Sequence, residues 1–319
     1  MNNNPSIRLG IAITQWNHAR LTIKLLEQII SQGSVAHIVI CDNGSKCKEL
    51  SSLINFLSSI EVINHKYQCT VTLLENSVNS GFSSGMNLAI RKLMQLGVDW
   101  IWLLNNDISM PNDESTKLYK SISKIKPGIY STAIFEPEFG EYTGNFHYNI
   151  YTSKFKPIRN IEDLSLTPQE KKYVSGANMI VHRDVFDTVG LLNPRTFLYF
   201  EELDFIYRAR KQGYLQGHIE GLVVQHYGAG SSKGKNMNKV RMYHETWSIL
   251  DFYANHHKTL FVLILTVRTV ARCLTLLISG RHNLITSVLK PTYNFLQNKN
   301  SSFAEPKIRN VRRFHFKPK

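Results

Sequence analysis

Two acidic clusters about a hundred residues apart carry the clearest chemical potential in this chain. The first ends at Asp107, in an Asn-Asn-Asp sequence that follows the apolar run 100–104. The second comprises Glu201, Glu202 and Asp204 at the start of a predicted helix. A carboxylate at a strand end suits Mg²⁺ or Mn²⁺, which binds oxygen ligands and neutralises a leaving diphosphate. Repulsion within the second cluster raises at least one pKa, which suits a general base that deprotonates a hydroxyl.

Each cluster also has an ordinary structural interpretation. Asp107 could begin the next element as a helix N-cap. The acids from Glu201 onward could form a solvated first turn, whose charge complements the helix dipole. A metal carboxylate and a base in two separate loops nevertheless suggest transfer of a sugar from an activated nucleotide, and both interpretations stay open at this point.

Three further polar segments lie at strand ends or at a helix start. Asp42 precedes Asn-Gly-Ser and could accept from a uracil or thymine imide or a ribose hydroxyl, although Asn-Gly also suits a plain turn. Residues 79–87 contain Gly81 and Gly85, which permit close backbone approach to a phosphate at a helix N-terminus, or simply begin a helix. His226 precedes a glycine turn and suits a metal or diphosphate contact, whereas a single histidine is often structural.

Short apolar runs and helix-length amphipathic stretches alternate through the first half of the chain. The predicted strands are 9–14, 37–41, 71–74, 100–104, 173–182 and 222–225, and the predicted helices are 19–30, 81–96, 185–189, 202–212 and 240–256, with a β-hairpin excursion at 130–156. This alternation predicts a mostly parallel α/β sheet, in which ligands bind beyond the carboxyl ends of the strands. The polar turns that begin at Gln15, Asp42 and Asn105 are therefore expected to converge on one crevice.

The C-terminal third differs from the rest of the chain in charge and hydropathy. From Lys233 onward it has 16 Lys and Arg but only 3 Asp and Glu, so nearly all of the net charge of +14 lies there. The apolar run 259–279 contains Arg268 and Arg272, each of which would cost about 2.5–3.5 kcal/mol at a bilayer centre. Because the two arginines share a helical face, we expect a helix that lies on an anionic membrane surface. The alternative is a buried helix with both arginines on its wet side.

The N-terminus and the cysteines bear on the compartment. Residues 1–5 lack the charged and apolar regions of a secretory signal. Four scattered cysteines without a CxxC pair favour neither structural zinc nor a disulfide framework. We therefore expect a cytoplasmic protein, peripheral on the inner face of the cytoplasmic membrane. It would have a catalytic domain at 1–235 and a basic, apolar, helical C-terminal region at 236–319.

In order and spacing, these segments resemble the inverting family 2 glycosyltransferases with a GT-A fold, and in particular the bacterial rhamnosyltransferase-like branch. The likeness covers about residues 8–232 and rests on the ordered set rather than on one motif. The matching segments are 15–17, 42–45, 79–87, 103–107, 175–177 and 197–204, together with Arg208 and His226.

The resemblance implies an α/β fold of GT-A type, with a Rossmann-like, mostly parallel central sheet and a helical C-terminal extension. It implies that Glu202 is the catalytic base, where such enzymes usually have Asp, and that Asp107 and His226 bind a divalent metal, Mg²⁺ or Mn²⁺. Asp42 corresponds to the nucleoside-binding acid. The other residues expected to contact the nucleotide-diphosphate sugar are Gln15, Asn17, Asn79, Gly81, Asn87, Asn105 and Asn106.

The implied reaction moves a sugar, with inversion, to a hydroxyl of a glycan or lipid-linked glycan during synthesis of a bacterial surface polysaccharide such as O-antigen or capsule. A metal-dependent nucleotidyltransferase stays an alternative, but it would be expected to have a glycine- and basic-rich phosphate loop where this chain has Gln-Trp-Asn-His from Gln15. A non-enzymatic nucleic-acid-binding protein would explain the charge but not the acids at strand ends. No nucleic acid partner is therefore expected.

Overall fold

The computed structural model describes residues 7–61, 68–228, 235–297 and 305–316, and the predicted α/β fold is confirmed. The strands are β1 (Leu9–Gln15), β2 (His37–Asn43), β3 (Cys69–Asn76), β4 (Trp100–Asn105), β5 (Ile108–Ser109), β6 (Ile129–Glu136), β7 (Gly140–Tyr142), β8 (Asn145–Asn149), β9 (Lys154–Pro157), β10 (Lys172–Val174), β11 (Asn178–His182), β12 (Gln216–His226) and β13 (Ile308–Phe316). The helices are α1 (Ala19–Gln32), α2 (Cys47–Glu61), α3 (Phe82–Gln95), α4 (Glu114–Ile122), α5 (Ile161–Leu166), α6 (Arg183–Val189), α7 (Glu201–Lys211), α8 (Lys235–His256), α9 (Lys258–Leu263), α10 (Thr269–Ile278) and α11 (Thr286–Leu296).

The central sheet has the strand order β13-β3-β2-β1-β4-β11-β6-β12-β5, with β7 paired to β6. β1 is parallel to both β2 and β4, and β6 is parallel to β12, whereas β11 is antiparallel to β4 and β6. The carboxyl ends of β1, β2, β3, β4, β6 and β12 therefore lie along the same edge. This edge is where a doubly wound sheet binds its ligands.

Local sequence explains why the first βα unit forms. β1 is an almost continuous apolar run whose residues are buried, as expected for a strand covered on both faces. α1 buries Ala19, Thr22, Leu25, Leu26, Ile29 and Ile30, which recur at helical spacing along one side. The helix ends at Gly33, whose φ of 75° favours glycine. The unit thus places the end of β1, and its polar turn, at the binding edge.

A second sheet, which is antiparallel, has the strand order β10-β8-β9. Its aromatic residues pack against α8, and the Tyr148 hydroxyl lies 3.0 Å from the hydroxyl of Tyr253. Trp247 and Phe252 of α8 are also buried. α8 is therefore packed into the body of the protein, although the sequence pattern assigned it to the C-terminal region.

Three features differ from the predicted elements. The expected strand 173–182 is two strands, β10 and β11, because the chain turns at Gly176. Helix α2 was not anticipated. The C-terminal region, expected to be helical, also contains β13, which pairs antiparallel with β3 at the edge of the central sheet. The first six residues of β13 are exposed and three of them are arginines, whereas Phe314 and Phe316 are buried.

The apolar segment predicted at 259–279 is helical, and it consists of α9, a π-helical turn at Ile264–Arg268, and α10. Within the described residues, Lys258–Ile278 is one helix whose length and composition would allow it to cross a membrane, and little of it is buried. Arg268 and Arg272 share a face, as predicted, and that face turns toward α8, where Arg268 Nη2 lies 3.4 Å from Glu245 Oε1. The outward face is consequently apolar.

Candidate active site

Asp42, near the end of β2, organises one end of the crevice. Its side chain is 1% exposed, and Oδ1 accepts from Gln15 Nε2 at 3.0 Å while Oδ2 accepts from the Ser45 N–H at 3.1 Å. Burial raises the pKa of Asp42 above its usual value, and hydrogen bonds from Ser45 and Gln15 act in the opposite direction. Gln15 and Asp42 therefore form one unit at the ends of neighbouring parallel strands.

Asn17 links the turn after β1 to the turn after β2. Its N–H donates to Ser45 Oγ at 2.7 Å, and its Oδ1 accepts from the Lys46 N–H at 3.0 Å. Asn17 and His18 both adopt the left-handed region, with φ of 55° and 58°. Asparagine tolerates this conformation better than most residues, so Asn17 serves at least to shape this end of the crevice.

The turn after β3 is held by amide hydrogen bonds. Asn43 Nδ2 donates to Asn79 Oδ1 at 3.0 Å and to the Gly81 carbonyl at 2.9 Å. Gly81 has φ of 87°, and a Cβ there would lie 2.8 Å from the Phe197 main chain. Only glycine fits this approach, which joins the turn to the loop that precedes α7. Asn79 and Gly81 are thus held by Asn43, the residue after Asp42 on β2.

Asn87 has a different environment from the other predicted donor-binding residues. Its Nδ2 donates to the Leu192 carbonyl at 2.8 Å, and its Oδ1 accepts from the Leu192 N–H at 3.0 Å. Both ends of this buried amide are used within the chain. Asn87 accordingly holds the loop after α6 and is not among the residues that we assign to the donor.

Asp107, His226 and Glu136 meet at the other end of the crevice. Asp107 follows β4, His226 is the last residue of β12, and Glu136 is the last residue of β6. The carboxyl ends of these three strands lie on one edge of the sheet. His226 Nε2 is 3.2 Å from Asp107 Oδ1, and His226 Nδ1 is 2.8 Å from Glu136 Oε1. Burial lowers the pKa of His226, but hydrogen bonds to the two carboxylates outweigh it and raise the pKa to about 9. Both ring nitrogens of His226 therefore face a carboxylate, and a metal bound at Nε2 would displace the proton from that nitrogen.

The same residues fit a divalent metal by the chemistry of their donor atoms. A buried carboxylate and an imidazole suit Mn²⁺ or Mg²⁺, which often take only one or two ligands from the protein. Among the residues that the structure describes, no three His, Cys, Asp or Glu side chains form a ready-made metal cluster. A metal held by Asp107 and His226 would need further ligands from a substrate or from water.

Asn105 and Asn106 flank Asp107 in different ways. Asn105 Nδ2 lies 3.5 Å from His226 Nε2, which places Asn105 at the same end of the crevice. Asn106 Nδ2 donates to Thr22 Oγ1 at 3.1 Å and so ties this turn to α1. The side chain of Asn105 faces the metal-site candidates, while that of Asn106 supports the loop.

Glu201 and Glu202 begin α7 directly after two residues with left-handed backbone, Tyr199 (φ 69°) and Phe200 (φ 67°). Consecutive non-glycine residues in this region store strain, which is common at active sites. Burial raises the pKa of Glu202 to about 7, and burial together with repulsion from Glu202 raises the pKa of Glu201 well above its usual value. One buried carboxylate oxygen of each residue has no hydrogen-bond partner among the described residues.

Asp204, the third acid of the cluster, is an ion-pair residue. Its Oδ2 accepts from Arg208 Nε at 2.8 Å, and its Oδ1 is 2.7 Å from His256 Nε2. Although burial raises the pKa of Asp204, hydrogen bonds from His256 and Arg208 outweigh it and lower the pKa. A carboxylate already paired on both oxygens is a poor proton acceptor, so geometry separates Asp204 from its two neighbours.

The turn at Gly176 brings the two acidic clusters together. A Cβ built on Gly176 would lie 3.7 Å from the carboxyl carbon of Glu202, so the glycine faces that side chain. The next carbonyl, of Ala177, accepts from the Asn105 N–H at 3.1 Å. β11 pairs with β4 immediately after this turn. The same turn thus faces Glu202 and is hydrogen-bonded to the end of β4, two residues before Asp107.

Two candidate site residues were missed from the sequence. Glu136 is the last residue of β6, just as Asp107 follows the end of β4. A search for acidic residues at strand ends would therefore have found Glu136. Arg241 of α8 lies with its guanidinium carbon 5.1 Å from the ring centroid of Tyr199, and no local pattern signals this contact because α8 reaches the crevice only in the folded chain.

Comparison with known proteins agrees with this geometry. The family model described as "Glycosyl transferase family 2" matches residues 11–190. A Haloferax volcanii protein named low-salt glycan biosynthesis hexosyltransferase Agl10 is 27% identical over 185 residues, which cover 56% of this chain and 54% of that protein. A Mycobacterium tuberculosis N-acetylglucosaminyl-diphospho-decaprenol L-rhamnosyltransferase is 24% identical over 216 residues, which cover 59% of this chain and 68% of that protein. The chain thus matches about half of the archaeal relative's length.

Solved structures show the same fold at low sequence identity. The mannosyltransferase PcManGT from Pyrobaculum calidifontis, in complex with GDP-Man and Mn²⁺, has a TM-score of 0.54 and 11% identity, and the match covers 92% of this chain and 88% of that one. GalNAc-T7 with UDP, GalNAc and Mn²⁺ has a TM-score of 0.54 and 12% identity, covering 93% and 59%. The expected GT-A architecture is therefore confirmed.

Proposed function

Because the chain belongs to glycosyl transferase family 2, we propose that it transfers a sugar from a nucleotide-diphosphate donor to a hydroxyl of a glycan or lipid-linked glycan, with inversion at the anomeric carbon. The observation that carries this proposal is that Gly176 faces Glu202 while the carbonyl of the next residue, Ala177, accepts from the Asn105 N–H. These contacts support a base and a metal carboxylate acting on one substrate.

On the donor side, we assign the nucleoside to Asp42 with Gln15, Asn17, Asn79 and Gly81. Asp42 is ordered by Gln15 and Ser45, so a base or ribose donor would meet a carboxylate that needs no reorganisation. Asp107 and His226, with Asn105 close by, would hold a divalent metal. The metal would neutralise the charge that develops on the departing diphosphate.

On the acceptor side, we assign the general base to Glu202. With a pKa of about 7, a large fraction of the Glu202 carboxyl groups is ionised at neutral pH, and the carboxylate is still basic enough to take a proton. As the acceptor oxygen attacks the anomeric carbon, its proton moves to the Glu202 carboxylate and the bond to the diphosphate breaks. Glu201 lies beside it and is more strongly held in its neutral form, and Asp204 keeps α7 in place through Arg208.

The C-terminal helices support a site on the inner face of the cytoplasmic membrane. α9 and α10 with the π turn between them expose seven apolar side chains, which are Val262, Leu263, Val267, Val270, Leu274, Leu277 and Ile278. Exposed patches of this size mark interaction surfaces. The mycobacterial relative's name states a diphospho-decaprenol acceptor, which supports a lipid-linked acceptor here and a role in bacterial surface polysaccharide synthesis, such as O-antigen or capsule.

A panel of sugar nucleotides tests the proposal. Binding to the native state alone raises the melting temperature, and the stabilisation is about 2.7 kcal/mol when the ligand is at a hundred times its Kd. We expect at least one nucleotide-diphosphate sugar to stabilise the chain in the presence of Mn²⁺ or Mg²⁺, and Asp42→Asn to reduce this effect. Asp113→Ala, at an exposed acid outside the crevice, should behave as wild type. Absence of stabilisation by every donor, with and without metal, would contradict the proposal.

A further inference from the structure

Lys307, the residue directly before the C-terminal strand β13, contacts the turn at the end of β3, on the donor side of the crevice. The Lys307 N–H donates to Asn76 Oδ1 at 2.7 Å, and the Lys307 carbonyl accepts from the Ser77 N–H at 2.9 Å. The two partners of the first bond are 231 residues apart in the chain. A segment that reads as a basic tail therefore lies against the turn assigned to the nucleotide.

Asn76 connects this contact to the donor side. Its side chain is 3% exposed, and its Nδ2 donates to Asn43 Oδ1 at 2.9 Å and to Ser80 Oγ at 3.0 Å. Asn43 in turn holds Asn79 and Gly81. An amide presents an acceptor at one end and donors at the other. The Lys307 N–H thus fixes which end of Asn76 faces Asn43, because a reversed amide would lose bonds on both sides.

A second contact, from Arg312 of β13, neutralises the charge of Glu75 on β3. Arg312 Nε lies 2.5 Å from Glu75 Oε1, and Asn310 Nδ2 donates to the same oxygen at 3.3 Å. Glu75 is paired in register with Asp42 across β2 and β3. Two neighbouring carboxylates repel, and the Arg312 guanidinium offsets the charge of Glu75 next to the acid assigned to the nucleoside.

We propose that β13, together with Lys307 before it, is a positioning element of the donor site. It orients the 76–81 turn through Lys307 and Asn76, and it balances the charge beside Asp42 through Arg312. The inference rests on the proposed function, because it takes this turn and Asp42 as the nucleotide contacts. Donor affinity would then depend on a C-terminal strand that lies outside the region matched by the family model. None of its residues needs to touch the reacting atoms.

Lys307→Pro and Lys307→Ala form a matched pair that tests the hydrogen bond. Both remove the lysine side chain, but only proline removes the N–H. The probes are UDP, dTDP and GDP, each titrated with Mn²⁺ into the full chain by calorimetry. For the nucleotide that wild type binds most tightly, we expect Lys307→Pro to raise Kd about tenfold, as for loss of one hydrogen bond to a buried group, and Lys307→Ala to leave it unchanged. Equal effects of both variants, or an unchanged Kd in Lys307→Pro, would overturn the inference.

The charge contact supplies an independent arm that does not require Lys307→Pro to fold. Arg312→Gln should raise Kd roughly twofold to fivefold, since the pair is partly exposed. The double variant Glu75→Gln/Arg312→Gln should restore it, because the uncompensated carboxylate is gone. Arg313→Gln, an exposed neighbour on β13, is the control and should bind as wild type. A merely structural strand would lower the melting temperature of both Arg312 variants without this rescue of Kd, and that result would also overturn the inference.

The outcomes separate this inference from the proposed function. If wild type binds none of the three nucleotides or their sugar derivatives, the proposed function is wrong and the inference falls with it. If wild type binds a nucleotide and the Lys307→Pro and Arg312→Gln variants bind it equally well, the inference alone is wrong.

Discussion

Gly176 faces the carboxylate of Glu202, since a Cβ at Gly176 would be 3.8 Å from Glu202 Oε2. That oxygen is buried and has no hydrogen-bond partner among the described residues. A carboxylate in this setting is costly to ionise, which agrees with its raised pKa. The same turn carries the carbonyl that binds the Asp107 loop, so one short segment sets both groups.

The pH dependence of transfer should report Glu202. The base is active when ionised and its pKa is about 7, so log kcat/KM should rise with pH up to about pH 7 and then level. Glu202→Gln should lower kcat by about 10²–10⁴-fold while donor Kd stays unchanged, because glutamine is nearly isosteric but cannot take a proton. Steady-state kinetics from pH 5 to 9 with donor titration would check both effects.

The pH dependence of the unfolding free energy should also report the ionisation of Glu202. Since the folded pKa of Glu202 is raised, its contribution opposes folding above the unfolded pKa, and the unfolding free energy should fall as pH rises toward 7. Glu202→Gln should therefore melt no lower than wild type at pH 8.

If Glu202→Gln retains full turnover while Glu201→Gln has none, the base is Glu201.

Asp107→Ala should abolish metal-dependent transfer without unfolding the chain. The carboxylate lies at the carboxyl edge of the sheet, 3.2 Å from His226, in the position we assign to the metal. Turnover would be measured across a titration of Mn²⁺ and of Mg²⁺, with circular dichroism to confirm the fold. Asp113→Ala is the control, because Asp113 is exposed and makes no capping bond with its side chain. A metal response in Asp107→Ala equal to that of wild type would refute the assignment.

Asp204→Asn should lose stability, because Asp204 acts as an ion-pair residue. Removing one partner of a buried ion pair typically costs about 3–5 kcal/mol, and Asp204 pairs with both Arg208 and His256. Its lowered pKa means that this stabilisation is present above the unfolded pKa of about 3.9 and is lost as pH falls below it. The deficit of Asp204→Asn in urea denaturation should thus be large at pH 7 and small near pH 3. Native stability combined with loss of transfer would instead identify Asp204 as the base.

The apolar face of α9 and α10 should bind anionic membranes. Juxtamembrane basic residues contribute about 1 kcal/mol each near an anionic surface, and burial of the apolar side chains adds to this. In sedimentation, the full chain should bind phosphatidylglycerol vesicles better than phosphatidylcholine vesicles, and binding should weaken but persist in high salt. Replacing Leu263, Val267, Val270 and Leu274 with serine should remove the salt-resistant part.

A matched control for this experiment is Leu166→Ser, since Leu166 is 80% exposed but lies on α5. If the wild-type chain stays in the supernatant with both lipids, the membrane assignment is wrong. The outward face of α9 and α10 would then be an interface with another protein subunit.

Local sequence was sufficient for the elements that position the site. β1, β2, β3 and β4 were predicted within about two residues of their observed ends, because buried parallel strands are short apolar runs bounded by polar turns. The rule that such turns meet at one edge then placed the turns that begin at Gln15, Asp42 and Asn105 along one crevice. These properties depend on residue types within a few positions of each other.

Tertiary structure decided the questions that depend on partners far away in the chain. Three acids in four residues look equivalent in sequence, but Arg208 and His256 pair Asp204, and Gly176 faces Glu202. The sequence places Asn87 near the start of a helix and suggests that it contacts the donor, yet both ends of its amide bind the main chain of Leu192. Arg268 and Arg272 share a face in any helix, but only the folded chain places Arg268 against Glu245 of α8. Burial and hydrogen-bond satisfaction are properties of the assembled fold, and they determine whether a polar side chain holds the structure or remains available to a substrate.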